Sequence, residues 1–208
     1  MSPKDATVRA RLELIPGGRS DPLDDEALIA GLQAGDQRVA RELYRRLSPA
    51  VDVALFRVFG RREQDHDDLV QITFENVVRT LTRRRFAGAC SLKTWASTIA
   101  VHVGLKALRS RRREQRVLDK SWEVEEGSVA GRANVEAEVS ARADLARIRY
   151  LLTQINPRRA EVVFLRDVLG HDLAEIALIL GSSVAATQSL LVRGRKDLAA
   201  RWREEGFS

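Results

Sequence analysis

Apolar residues recur along most of this chain at three- and four-residue spacing, the period of helices that each bury one face. Ala27, Leu28 and Leu32 form a short stripe that begins after Asp24 and ends near Gly35. Val39, Leu43, Leu47, Val51, Leu55 and Val58 form a longer one, which Gly60 stops. A third helix is expected from about Asp65, with Val70, Phe74, Val77 and Leu81 facing inward. Asp65, Asp67 and Asp68 load its first turn with negative charge, which complements the positive end of the helix dipole. A loop from Arg83 to Cys90 then breaks the period. Ser91 offers an N-cap, and Trp95, Ile99, Val103 and Ala107 supply the next apolar face. That helix runs out into Arg109-Ser110-Arg111-Arg112-Arg113.

The period fails in two stretches. In residues 1–23, Pro16-Gly17-Gly18 and Ser20-Asp21-Pro22 are turn chemistry with no stripe behind them, so a disordered tail is expected. In residues 116–139, Glu123, Glu125, Glu126, Glu136 and Glu138 gather around Gly127 and Gly131, which reads as a flexible acidic linker with helix returning near its end. Beyond it a helix is expected over 140–153. Asn156-Pro157 is a cap followed by proline at the first helical position. The helix it opens carries Val162, Val163, Leu165 and Val168, and Gly170 ends it. Asp172 with Glu175 resembles a capping box. Ile176, Ala177 and Leu180 follow, then Gly181, and Ser182 or Ser183 caps a last helix holding Val184, Thr187, Leu191 and Leu198. No stretch has the period of a strand. The chain therefore reads as all-α, with two small helical domains at 24–115 and 140–208.

The short helix from Asp172 to Leu180, the glycine turn and the helix from Val184 fit a helix-turn-helix. Ile176 and Leu180 would bury the first helix against the second, and small Ala177 would let them approach. Ser183, Ala185, Ala186, Gln188 and Ser189 would then face the major groove, with Arg193, Arg195 and Lys196 nearer the DNA backbone. The same pattern fits an ordinary helical hairpin equally well.

Charge adds a second signal. The 208 residues carry a net charge of +6, which favours a polyanionic partner. The bases segregate: from Arg79 to Arg116 they are Arg79, Arg83, Arg84, Arg85, Lys93, Lys106, Arg109, Arg111, Arg112, Arg113 and Arg116, against the lone acid Glu114. Such a run can track a phosphate backbone. Phe86 and Trp95 lie within it. Trp95 shares the register of Ile99 and reads as core, whereas Phe86, in a loop of small residues, is open to stacking on a base. Single Cys90 excludes an internal disulfide and zinc sites of Cys-x-x-Cys spacing, and reads as a small packed thiol. His66, His102 and His171 are scattered without metal spacing, and a buried or capping role is expected of each. No apolar run is long enough to span a bilayer, and the N-terminus lacks a signal-peptide core.

Two sets of residues in this order resemble a known family. Asp68-Leu69-Val70-Gln71 with Phe74, then Lys93-Thr94-Trp95 and the basic helix end, are similar to region 2 of a small sigma factor. Pro157-Arg158, Glu161 to Asp167, Glu175-Ile176-Ala177 and Leu180-Gly181 are similar to region 4. Gly35-Asp36 and Leu43-Tyr44 fit the same family's first helices. The chain thus resembles extracytoplasmic-function sigma factors of the sigma-70 family over roughly residues 25–203.

The resemblance implies two helical domains, region 2 and region 4, joined by the acidic linker. It implies that Asp68, Leu69, Gln71 and Glu75 dock on the clamp helices of bacterial core RNA polymerase. Arg84, Arg85, Phe86, Lys93, Arg109, Arg112 and Arg113 would contact the −10 element. Ser183, Ala185, Ala186, Gln188, Ser189, Arg193, Arg195 and Lys196 would contact the −35 element. The implied partners are core polymerase, promoter DNA and an anti-sigma factor. The implied place is the cytoplasm, and no cofactor, metal or catalysis is implied. A stand-alone helix-turn-helix regulator is the alternative. Ile72 stands where the family often has an acid, Thr187 where a valine is usual, and Gln188 and Leu190 where bases are common.

Overall fold

The computed structural model describes residues 24–84, 86, 88, 90–118 and 133–206. The expected tail, most of the expected linker and Arg85 lie outside the described residues. Within them the chain forms eight α-helices: α1 (Asp25–Gln33), α2 (Gln37–Phe59), α3 (His66–Thr82), α4 (Leu92–Leu118), α5 (Ala133–Leu152), α6 (Pro157–Val163), α7 (Leu173–Ile179) and α8 (Val184–Glu204). No strand occurs among the described residues.

Local chemistry sets most helix starts. Asp24 caps α1 by accepting from the amide of Ala27 at 2.7 Å, and Asp36 caps α2 through the amide of Arg38 at 2.7 Å. Asn156 caps α6 through Arg158 at 3.0 Å. Asp172 caps α7 through Glu175 at 2.7 Å, and Ser183 caps α8 through Ala186 at 3.2 Å. Each satisfies an amide that the first helical turn leaves without a partner. The start of α4 is held twice. Ser91 Oγ accepts from the Thr94 amide at 3.1 Å, and Asp25 of α1 accepts from the Leu92 amide at 2.8 Å. The loop after α3 is thereby pinned at its far end.

The first unit packs α2 against α4, with α1 and α3 alongside. Leu43, Leu47, Val51, Leu55, Val58, Val77, Leu81, Val101 and Leu105 are its buried side chains. The second unit packs α6 and α7 on α8, around Val162, Phe164, Leu165, Ile176 and Leu191. Gly194 makes the α6–α8 crossing close: a Cβ there would stand 2.7 Å from Val163 and 3.1 Å from the Arg159 carbonyl. The two units also touch, α4 packing on α6 and on the turn that follows it, and one apolar cluster runs through both.

Several expectations are corrected. The helix expected to run out near Arg113 continues to Leu118, and α5 begins at Ala133 rather than near 140. Helix thus enters the stretch read as linker from both sides. The helix opened by Pro157 passes into a π-helical turn, Phe164–Val168, before Gly170. Val184, expected in the core, is exposed because it sits in the first turn of α8, outside the buried line of Thr187, Leu191 and Gly194. The capping box at Asp172 is half formed: Glu175 bonds Nδ1 of His171 at 2.9 Å. His66 is buried against Asp52 at 2.8 Å. His102, by contrast, is mostly exposed and pairs with Glu161.

Candidate polymerase and promoter interface

The α7–α8 pair distinguishes the two readings of the C-terminal motif. The chain bends by 105° between Leu173–Ile179 and Val184–Glu204. That is the crossing of a helix-turn-helix, not the near-reversal of an antiparallel hairpin. Ile176 and Ala177 are buried at the crossing, and Gly181 takes a φ of 60° in the turn. Ser183, Ala185, Ala186, Gln188, Ser189, Arg193, Arg195 and Lys196 are all exposed. The second helix therefore presents one open surface with a small-residue N-terminal half.

Two contacts fix how that helix is presented. Arg195 grips Asp167 of the π-helical turn with two bonds, at 3.0 and 2.5 Å. Arg159 of α6 bonds Asp197 at 2.7 Å. The Arg195 contact was not readable in sequence, because a π-helical turn shifts the direction of Asp167 away from the regular helical period.

On α3, Asp68, Gln71 and Glu75 are exposed, and Gln71 donates to Glu75 at 3.0 Å. Leu69 is only 4% exposed and packs in the core. Ile72 is exposed beside them. An open groove of about 640 Å³ runs along this helix, lined by Gln71, Phe74, Glu75, Val78, Arg79, Thr82 and Arg83. Phe74 stacks on Tyr44 with ring centres 4.5 Å apart, so its floor is aromatic and its rim polar.

The loop after α3 begins with Arg84 in the left-handed region, φ 54°, a conformation that costs a non-glycine residue about 1–2 kcal/mol. Phe86 packs on Trp95 with ring centres 4.9 Å apart. Trp95 itself is buried, as its register predicts. Arg84 and Lys93 are exposed, as is Arg113 further along α4.

Arg109, Arg111 and Arg112 of α4 are engaged. Arg111 pairs with Glu63 at 3.2 Å and also with Asp65. It lies over the Phe59 ring, 4.8 Å from its centre. The acidic start of α3 therefore serves this arginine as well as the helix dipole. Arg109 donates to the Leu152 carbonyl at 3.3 Å, and burial pushes its pKa down. Arg112 donates to Thr153 Oγ1 at 2.8 Å and stands 3.9 Å from the centre of the Tyr150 ring. The predicted −10 residues are thus split: some face solvent, while Arg109 and Arg112 face the C-terminal unit.

Cys90 is half-buried, and its thiol is pushed up to about 11, first by desolvation and then by Glu175 and Asp25. No group of His, Cys, Asp and Glu suited to a metal occurs among the described residues. No single described helix is long and apolar enough to cross a membrane.

Comparison with known proteins agrees with this geometry. Residues 43–114 match the family described as Sigma-70 region 2, and residues 145–198 match Sigma-70, region 4. The RNA polymerase sigma factor NccH of Alcaligenes xylosoxydans xylosoxydans is 32% identical, over 87% of this chain and 96% of the relative. The RNA polymerase sigma factor CnrH of Cupriavidus metallidurans is 31% identical, over 85% and 93%. The solved structure of CnrH in complex with the cytosolic domain of CnrY superposes with a TM-score of 0.50 at 26% identity, covering 88% of this chain and 99% of that one.

Proposed function

Because the chain belongs to the sigma-70 family, and within it to the extracytoplasmic-function sigma factors, we propose that its two helical units divide promoter recognition between the residues placed above. The protein is an RNA polymerase sigma factor, which binds core polymerase and directs initiation at promoters. It does this by binding, with no cofactor and no chemistry of its own, in the cytoplasm.

The residue roles rest on the resemblance to the family, with exposure and charge supporting most of them. Gln71 and Glu75 at the groove, with exposed Asp68 further along α3, take the polymerase clamp. Leu69 supports them from inside. Arg84, Arg85, Phe86 and Lys93 are assigned to the −10 base that leaves the stack. Unstacking costs a few kcal/mol, which aromatic and phosphate contacts offset. Arg109, Arg112 and Arg113 continue the phosphate path along α4. Ser183 at the cap and Ala185, Ala186, Gln188, Ser189, Arg193, Arg195 and Lys196 of α8 read the −35 duplex, with Gln188 assigned to an adenine edge. The domain limits 24–115 and 140–208, with 116–139 as the linker, are part of this reading. The CnrH–CnrY complex supports an anti-sigma partner for this chain as well.

The observation that carries the reading is the coexistence, in one chain, of the 105° helix pair with its open face and a separate arginine-rich helix, α4, packed on α3 with its open groove. The test is transcription with purified core polymerase. The protein should co-elute with core and start transcripts at discrete promoter sites. Absence of core binding together with absence of any change in start site would refute it.

A further inference from the structure

One short helix, α1, holds both ends of the loop that carries Phe86. That loop leaves α3 after Thr82 and enters α4 at Leu92. At its near end, Gln33 Nε2 donates to the Leu81 carbonyl at 2.9 Å. The same carbonyl accepts from the Arg84 amide at 3.0 Å, which closes the turn that places Arg84 at a φ of 54°. A non-glycine residue stays in that region only where its surroundings over-determine it, and Gln33 supplies a bond from outside the turn. At the far end, Asp25 Oδ2 accepts from the Leu92 amide at 2.8 Å. The amides of a first helical turn have no intrahelical acceptor, and a carboxylate bonds them in the stronger, charge-assisted way. Ser91 serves a different amide, that of Thr94, so the two caps do not duplicate each other.

The helix that makes these bonds is firmly seated. Leu28 is fully buried and Leu32 nearly so. Gly31 brings α1 close against the start of α2, where a Cβ would stand 2.6 Å from Val39 Cγ2. Asp25 Oδ1 lies 3.7 Å from Arg46 of α2, so each carboxylate oxygen has its own partner. Asp25 and Gln33 stand about 12 Å apart along the axis of α1. Phe86, between the two anchored ends in sequence, packs on Trp95 of α4.

We infer that α1 is a two-point brace for the −10 loop, and that Asp25 and Gln33 are positioning residues that set which base the loop accepts. The inference rests on the assignment of this loop to the −10 base. A base out of the stack is read by stacking and hydrogen bonds, and such contacts discriminate only when they are held to within about 0.5 Å. Both side chains reach the loop through backbone groups, and Asp25 carries the charge that DNA repels. They therefore act through the shape of the loop and not on the DNA itself.

The test is transcription by the full chain with core polymerase on promoters randomised in the −10 element. Phe86→Ala locates the position that the loop reads. There, Asp25→Ala and Gln33→Met should each reduce the preference for the favoured base over the next about three- to tenfold, the scale of one lost bond. Preferences in the −35 element and co-elution with core polymerase should not change. Asp25→Asn keeps an oxygen acceptor for the Leu92 amide and should restore most of the preference. A loss of initiation that is uniform across the four bases overturns the brace, whether or not core binding weakens. So does an unchanged preference in variants that still initiate, or Asp25→Asn behaving as Asp25→Ala does. If Phe86→Ala flattens the preference at a −10 position and the α1 variants do not, the brace alone fails. If Phe86→Ala flattens no position, the assignment of the loop to the −10 base fails with it.

Discussion

At the scale of single residues, Thr187 shows how a small departure has a physical consequence. Its side chain is fully buried on the inner face of the second helix of the reading motif, and its Oγ1 has no hydrogen-bond partner. An unpaired buried hydroxyl costs about 1–3 kcal/mol, and valine keeps the shape without it. Thr187→Val should therefore raise stability by about 1 kcal/mol, seen as a higher urea midpoint with an unchanged slope. A lower midpoint would mean that the hydroxyl is satisfied. Asp68 and Leu69 are neighbours with opposite surroundings, the first exposed and the second 4% exposed. Asp68→Arg should weaken core-polymerase binding while shifting stability by less than about 0.5 kcal/mol. Leu69→Ala should cost about 2–5 kcal/mol through the cavity it leaves. Thermal unfolding and a core-binding assay on both variants separate docking from packing. Cys90, with its thiol raised to about 11 by burial first, is a packed side chain that stays protonated at neutral pH.

At the scale of elements, caps and stripes were legible in the sequence because both are local. Asn156, Asp172 and Ser183, each expected as a cap, bond an amide two or three residues away, and Asp24 and Asp36 do the same at helix starts that the apolar stripe alone had marked. The angle between α7 and α8 was not legible, since Ile176 and Leu191 would be apolar in a hairpin too. The π-helical turn at Phe164–Val168 escaped for a similar reason: its apolar residues fit a regular helix equally well. The burial of Arg109 and Arg112 was hidden because their partners lie across residues 116–139, beyond any periodic signal. The α4–α6 contact carries its own pH dependence. His102 Nδ1 lies 3.4 Å from Glu161 Oε1, and that hydrogen bond is the main cause raising its pKa, with Lys106 and Arg109 opposing. A raised histidine pKa stabilises the contact fully below the ordinary imidazole value and ceases to do so as pH rises through the raised one. His102 is 65% exposed, so solvent screens the pair and the effect is small. Amide exchange in α6 should speed up slightly, beyond the intrinsic pH effect, between about pH 6 and about pH 8. His102→Gln should abolish that excess; an excess that persists would place the titrating group elsewhere.

At the scale of the whole molecule, the two units present unequal surfaces. Three cations of the C-terminal unit are already paired: Arg159 with Asp197 at 2.7 Å, Arg195 with Asp167 at 2.5 Å and Arg201 with Glu204 at 3.2 Å. Over residues 140–208 eight acids offset eleven arginines and lysines, so the full chain without polymerase should bind −35 duplex DNA weakly and with a shallow salt dependence. Gel-shift titrations at several salt concentrations would show it; tight, steeply salt-dependent binding would contradict it. Strength then comes from holding both elements at once, which raises the effective concentration of the second contact. The most direct measurement reconstitutes the protein with core polymerase, offers a promoter library randomised upstream of the start, and sequences the transcripts. The account predicts two enriched blocks at a fixed spacing, both dependent on core polymerase. Transcripts with no enriched upstream block, or a single block bound equally well without polymerase, would contradict it.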